Sequence, residues 1–320
     1  MSASRLTLIL LPLFTLLLTL LALSWGSSAY GDMATDILWR LRLPRVLLAL
    51  FTGSVLALAG LLLQSLFRNP LVEPGLLGVS SGAGLAAVLV ITLGLPSSGI
   101  LDGLLSLPLA AFAGAIATLL LILGLGRRLG AGHAELLLVG VAINALAAAL
   151  VNLLLSLSDN TALRSASFWL MGSFTQAQMP LLLCSAVIFL LCLLRIAQQH
   201  RALDVWLLGE TESAHLGLDV RRFRREILLI ASLLVALAVA QSGGIGFIGL
   251  LAPHMARRLG LARHRDLLPA SLWLGALLAV LADWLARILI APLELPVGVL
   301  TALIGAPAFL LLFLRQEPPS

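Results

Sequence analysis

The chain has 320 residues, of which 60% are hydrophobic and only 11% charged, and its net charge is +5. A soluble domain carries roughly 25% charged residues, so the composition excludes a soluble enzyme or nucleic-acid-binding domain and requires a multi-spanning membrane protein. All twenty basic residues are arginine. A Walker A loop needs its lysine to reach nucleotide phosphates, so any ATPase serving this chain is a separate polypeptide.

Ten apolar segments follow in chain order, at about 6–25, 46–66, 76–95, 104–125, 135–155, 180–196, 227–241, 245–260, 267–290 and 296–314. The first is longer than a signal-peptide core of roughly 7–15 residues, and it reads as a span. Arg42 and Arg45 bracket Pro44 just before the second. Between the fifth and sixth lies a polar run from Ser156 to Arg164, which breaks a helix, and then Phe168 to Gly172, whose aromatics suit a membrane interface. This stretch is either a short half-helix lining a pore mouth, the preferred reading, or an outer loop anchored by Trp169.

Residues 195–266 form the one long part that is not mostly apolar, and they hold ten of the twenty arginines. The polar patch Gly209 to Gly217 is followed by Arg221, Arg222, Arg224 and Arg225. Such a block between spans reads as a cytoplasmic docking surface. Further on, Ser242-Gly243-Gly244 splits an apolar stretch in two. With that break and the N-terminus inside, 15 arginines fall inside and 5 outside; with one merged span the division is 11 to 9. The positive-inside rule favours the break and puts both termini in the cytoplasm. A single helix over 227–260 would also run ~51 Å, against a hydrocarbon core of ~30 Å. Interrupted segments mark translocation pathways; a tight turn at the outer surface is the alternative.

Gly244 to Gly249 matches G-x-G-x-x-G, but a membrane span precedes it where a dinucleotide site needs a strand. Asp283 lies four residues before Arg287, so the two share a helix face and can pair. Cys184 and Cys192, eight apart on one segment, are too distant for a disulfide and read as small core residues. No histidine pair has metal-ligand spacing and no nucleophile–base arrangement stands out. No catalytic residue, metal site or resident cofactor is expected in this chain.

Several stretches together resemble one family: Arg42-Leu43-Pro44-Arg45; Phe67-Arg68-Asn69-Pro70-Leu71; Glu73-Pro74-Gly75-Leu76-Leu77-Gly78; Gly246-Phe247-Ile248-Gly249-Leu250; Ala282-Asp283 with Ala286-Arg287; and Leu295-Pro296-Val297-Gly298. In this order they are similar to the FecCD family, permease subunits of bacterial importers for ferric siderophores, haem and cobalamin. The resemblance implies an all-α polytopic fold of about ten transmembrane helices, the type II ABC importer permease fold, in one domain over 1–320 with a coupling segment near 200–225. It implies a homodimer in the bacterial inner membrane, two cytoplasmic ATPases carrying ATP and Mg, and a periplasmic or lipid-anchored substrate-binding protein. Membrane lipid completes the partners, and nucleic acid is not among them. Carried over, Arg42, Arg45 and Arg287 dock the binding protein's acids. The G-E-x-x-x-x-x-L-G pattern of Gly209, Glu210, Ser213, Ala214, Leu216 and Gly217 seats in the ATPase, with Ser213 where alanine is frequent.

Asn144, Asn152, Ser156 and Met171 are candidates for the pathway lining. His133 is the candidate at an inner gate whose family hydroxyls this sequence lacks. The expected cargo is an iron complex, either ferric siderophore or haem, with cobalamin as the alternative. An ion-coupled secondary transporter would show several intramembrane acids, which this sequence does not.

Overall fold

The structure is a computed structural model and describes residues 3–24, 37–94, 106–128 and 133–314. Thirteen helices account for nearly all of it: α1 (Ala3–Ser24), α2 (Leu43–Leu66), α3 (Val79–Leu93), α4 (Ser106–Arg128), α5 (His133–Ser156), α6 (Asn160–Leu170), α7 (Met179–Gln198), α8 (His200–Trp206), α9 (Glu210–His215), α10 (Val220–Ser242), α11 (Ile248–Arg258), α12 (His264–Ile288) and α13 (Val297–Leu314). Each of the ten apolar segments overlaps one of these helices. Six helices are long and apolar enough to cross a membrane. Of the others, α3 and α13 are shorter, α10 opens on arginines, and α11 has 11 residues. That is ~16 Å, about half a hydrocarbon core.

The bundle is built around α2, which is buried along nearly its whole length. Pro44 sits in its first turn, where a missing N–H costs nothing. Two glycines let neighbours approach α2 to backbone contact. A Cβ on Gly53 would lie 2.2 Å from the Gly275 carbonyl oxygen of α12, and one on Gly60 would lie 1.8 Å from that of Gly249 of α11. In lipid, where apolar burial gives little drive, such close van der Waals packing holds helices together. A second group joins α3 to α4 and α5, and α10 packs against both α2 and α4. Cys192 is buried, but Cys184 on the same helix α7 is exposed, so the core reading holds for only one of the two.

The break after Ser242 forms. Gly243 has φ +69° and Phe247 φ +66°, and α11 starts at Ile248. Gly249 meets α2 at Gly60, six residues or ~9 Å before that helix ends at Leu66. The non-helical strand therefore lies within the thickness of the bundle, against the Trp169 and Leu170 carbonyls. Protein covers it, as bare backbone at membrane depth requires. The connection from α2 to α3 folds back to the same depth. There Glu73 accepts a hydrogen bond from the Phe247 amide at 2.5 Å and so caps the start of α11.

Candidate functional site

Two groups of side chains close the bundle at opposite ends, with a polar cavity near the first. At the first end, Arg45 in the opening turn of α2 donates from Nε to Asp283 Oδ1 at 2.7 Å, and from Nη1 to Glu294 at 2.9 and 3.1 Å. Arg287 lies 3.3 Å from Asp283 Oδ2, one helical turn away as its spacing predicts. Arg287 also donates to the Ala22 carbonyl and Arg42 to the Leu23 carbonyl, both at 3.1 Å. These are among the last carbonyls of α1, which have no partner inside their own helix. Exposure is 8% for Arg45, 6% for Arg287 and 1% for Asp283. A buried carboxylate needs opposite charge beside it, and both arginines turn inward to supply it. Of the three arginines expected to dock a binding protein, Arg42 is half-buried and Arg45 and Arg287 are buried, and the exposed member of the network is the acid Glu294.

The cavity, about 510 Å³, is lined by Arg164, Phe168 and Trp169 of α6, by Gln176 and Gln241, and by Glu294. The helix α6 is the half-helix expected between the fifth and sixth spans. Asp159 caps it by accepting from the Ala162 amide at 2.7 Å. Just past its end the chain turns at Gly172 (φ +75°), where a Cβ would lie 2.5 Å from the Gly244 carbonyl oxygen. The half-helix and the broken strand are thus packed backbone to backbone. Arg164 lies over the Phe168 ring at 5.8 Å.

Of the pathway candidates, Met171 is exposed at the end of α6. Asn152 and Ser156 are exposed one turn apart on α5. Asn144 is instead satisfied inside the chain. It accepts from Ser81 Oγ at 2.6 Å and donates to the Gly75 carbonyl at 3.1 Å, which pins the re-entrant connection. His133 begins α5, and its side chain lies outside the described ones. Arg164, Gln176 and Gln241 were missed as cavity residues. The i, i+4 spacing of Arg164 and Phe168 was the one available signal.

At the opposite end, α8 and α9 form the expected docking segment. Gly209 takes φ +124°, and Ser213 Oγ donates to the Val205 carbonyl at 3.0 Å and the Gly209 carbonyl at 2.5 Å. These two shape the turn from inside, and Glu210, Ala214, Leu216 and Gly217 are exposed. The segment is tied to the spans by residues the sequence reading passed over. Trp206, fully buried, donates to the Leu66 carbonyl at 3.0 Å. Asp204 accepts the His264 amide at 3.0 Å and lies 2.7 Å from its Nδ1, while Nε2 is 2.7 Å from Ser65 Oγ. The order Ser–His–Asp suggests a hydrolase, but this serine is buried between helices, where its hydroxyl also reaches the Leu61 carbonyl at 2.8 Å. The row is a strut joining α2, α12 and α8.

Comparison with known proteins places this architecture. The FecCD transport family matches residues 6–315. The chain belongs to the FecCD transport family. It is 44% identical over 319 residues to the hemin transport system permease protein HmuU of Yersinia pestis, covering 94% of this chain and 95% of that one. It is 40% identical over 301 residues to the vitamin B12 import system permease protein BtuC of Serratia proteamaculans, covering 92% and 86%. Among solved structures, an inward-facing conformation of a metal-chelate type ABC transporter superposes with a TM-score of 0.86 at 35% identity, over 98% of this chain and 99% of that one. PsaBC of Streptococcus pneumoniae shares the fold at a TM-score of 0.58 and 17% identity, over 87% and 94%. This FecCD protein is an all-α, multi-pass membrane permease of the ABC importer kind.

Proposed function

We propose that this FecCD permease carries an iron complex, with haem the leading candidate, into the bacterial cytoplasm by alternating access. ATP hydrolysis takes place on separate ATPase subunits. Two copies of the chain flank the pathway, and both termini and the α8–α9 segment face the cytoplasm. One observation carries the cargo class: Arg164 projects from a half-helix into a cavity floored by Phe168 and Trp169, beside the broken strand. A cation among aromatic and amide groups suits a flat or chelated anion, which it would meet by charge and by stacking. Haem carries carboxylates, and many ferric chelates are anionic. The resemblance to the hemin permease points the same way. Cobalamin is the second reading, supported by the 40% identity to B12 permeases.

In this mechanism a loaded binding protein docks at the end of the bundle that holds Arg42, Arg45 and Arg287, where an approaching acid competes with Glu294 for Arg45, and exposed charges there set orientation and encounter rate more than affinity. ATP-driven closure of the ATPases moves α8 and α9. The Asp204–His264–Ser65 strut and the Trp206 bond pass that motion to α12 and α2. Met171, Asn152 and Ser156 line the route between the two copies. The test is ATP-dependent uptake into proteoliposomes holding this chain with its ATPase and a binding protein loaded with haem, a ferric siderophore or cobalamin. Haem or siderophore uptake that falls at least tenfold in Arg164→Ala is the expected result, from loss of an essential charge contact. Cobalamin uptake indifferent to Arg164 would overturn the cargo assignment.

A further inference from the structure

A second cavity, about 540 Å³, opens where α4 ends and α5 and α10 begin. Its walls are Leu123 and Gly126 of α4, Leu136 of α5, and Arg221, Arg224, Arg225 and Leu228 of α10, with Arg222 and Asp219 at the rim. Residues 221, 224, 225 and 228 follow i, i+3, i+4, i+7, so three guanidinium groups and one leucine form a single stripe along α10.

The charges there are not accounted for inside the chain. Among the described residues none of the four arginines has an ion-pair partner; the two acids beside them are otherwise engaged. Asp219 caps the helix by accepting from the Arg222 amide at 3.1 Å, and Glu226 pairs with Arg195. The first turn of α10 holds no acid. Cations at a helix N-terminus oppose the macrodipole, and the single N-cap carboxylate of Asp219 offsets only part of four positive charges, which leaves the cluster disposed to take an anion. The stripe then passes from arginine to the buried Leu228, and the facing wall is leucine from two membrane spans. Leu120 and Leu121, on α4, are exposed. A cationic mouth that runs into a leucine wall between two spans fits an amphiphile. A soluble acidic partner would have no use for the apolar wall.

We infer that this cavity is a binding site for an anionic phospholipid, with the phosphodiester headgroup held by Arg221, Arg224 and Arg225 and an acyl chain laid along Leu123, Leu136 and Leu228. Basic pockets between spans at a cytoplasmic leaflet are suited to such headgroups. The site is independent of the cargo reading.

The test uses the full transporter, permease with its ATPase, delipidated and then equilibrated with vesicles of phosphatidylcholine alone or phosphatidylcholine with phosphatidylglycerol. Retained lipid is counted by native mass spectrometry. The wild type is expected to retain phosphatidylglycerol in preference to phosphatidylcholine. R221Q/R224Q/R225Q should weaken that preference by on the order of 100-fold, since each arginine near an anionic surface is worth about fivefold. R221K/R224K/R225K, which keeps the charge, should retain most of it. R258Q/R263Q/R265Q removes the same charge from the same end of the bundle and should leave the preference intact. Equal loss in both glutamine triples would reduce the effect to general surface charge and overturn the site. So would displacement of the lipid by inorganic phosphate alone. Loss of ATPase co-purification in R221Q/R224Q/R225Q with lipid retention unchanged would assign the arginines to a protein contact instead.

Discussion

The two arginine clusters of this permease are satisfied in opposite ways. At the end near Glu294, Arg45 and Arg287 are buried and share Asp283 within the chain. At the start of α10, four arginines have no ion-pair partner among the described residues. Burial makes the difference. A charge inside the bundle must bring its partner with it, whereas a charge at the membrane edge can take one from lipid or a docking protein. The first cluster holds the fold together, and the second leaves it free to bind.

The strongest test of that contrast is Asp283→Ala. It strands the buried Arg287 and leaves Arg45 only the half-exposed Glu294, and breaking a buried pair costs about 3–5 kcal/mol, so a large fall in the thermal midpoint of the detergent-solubilised permease is expected. A midpoint equal to wild type would mean that water reaches the network and the contrast is false. Next comes His264→Ala, which removes the middle of the strut and leaves buried Ser65 without that partner. A loss of about 1–3 kcal/mol is expected, together with ATP hydrolysis no longer matched by uptake. Normal coupling in a destabilised protein would reduce the strut to a structural role. Smaller again is Glu294→Gln, because a half-exposed pair contributes roughly 0.2–1 kcal/mol. Its visible effect should be tighter binding-protein association at low salt, since Arg45 is released for the partner's acid. Weaker association would make Glu294 itself a docking residue. The smallest change is expected for R221Q/R224Q/R225Q in detergent without phospholipid, where stability should stay within about 0.5 kcal/mol, as for surface substitutions generally. A large loss there would reveal an internal role for arginines that look free.

Much of this fold was legible because its signals are local. Twenty-residue apolar runs, the glycine break at 242–244 and the polar stretch before α6 each declare themselves within a window. The pairing of Asp283 with Arg287 was readable from a four-residue spacing. What stayed hidden depends on contacts across the chain. Arg45 meets Asp283 across 238 residues, and His264 meets Asp204 across 60. No pattern near Arg45 says that its side chain points inward, so its motif suggested an exposed docking charge. Asn144 misled in the same way. A polar residue in an apolar helix reads as pathway lining, but its partners are carbonyls of a connection that folds back from elsewhere.

The glycine contacts along α2 also restrict how this protein can change shape. Gly53 against Gly275 and Gly60 against Gly249 lock α2, α11 and α12 at backbone distance, and Gly82 against Gly114 does the same for α3 and α4. Surfaces that close cannot slide by a fraction of a turn without collision, so the chain divides into two stiff slabs. The seam runs along α10, which packs against both and has no glycine of its own. Opening and closing should therefore be a shear across that seam. Spin labels placed within one slab would keep their separation through the ATP cycle, while a pair spanning α10 would not.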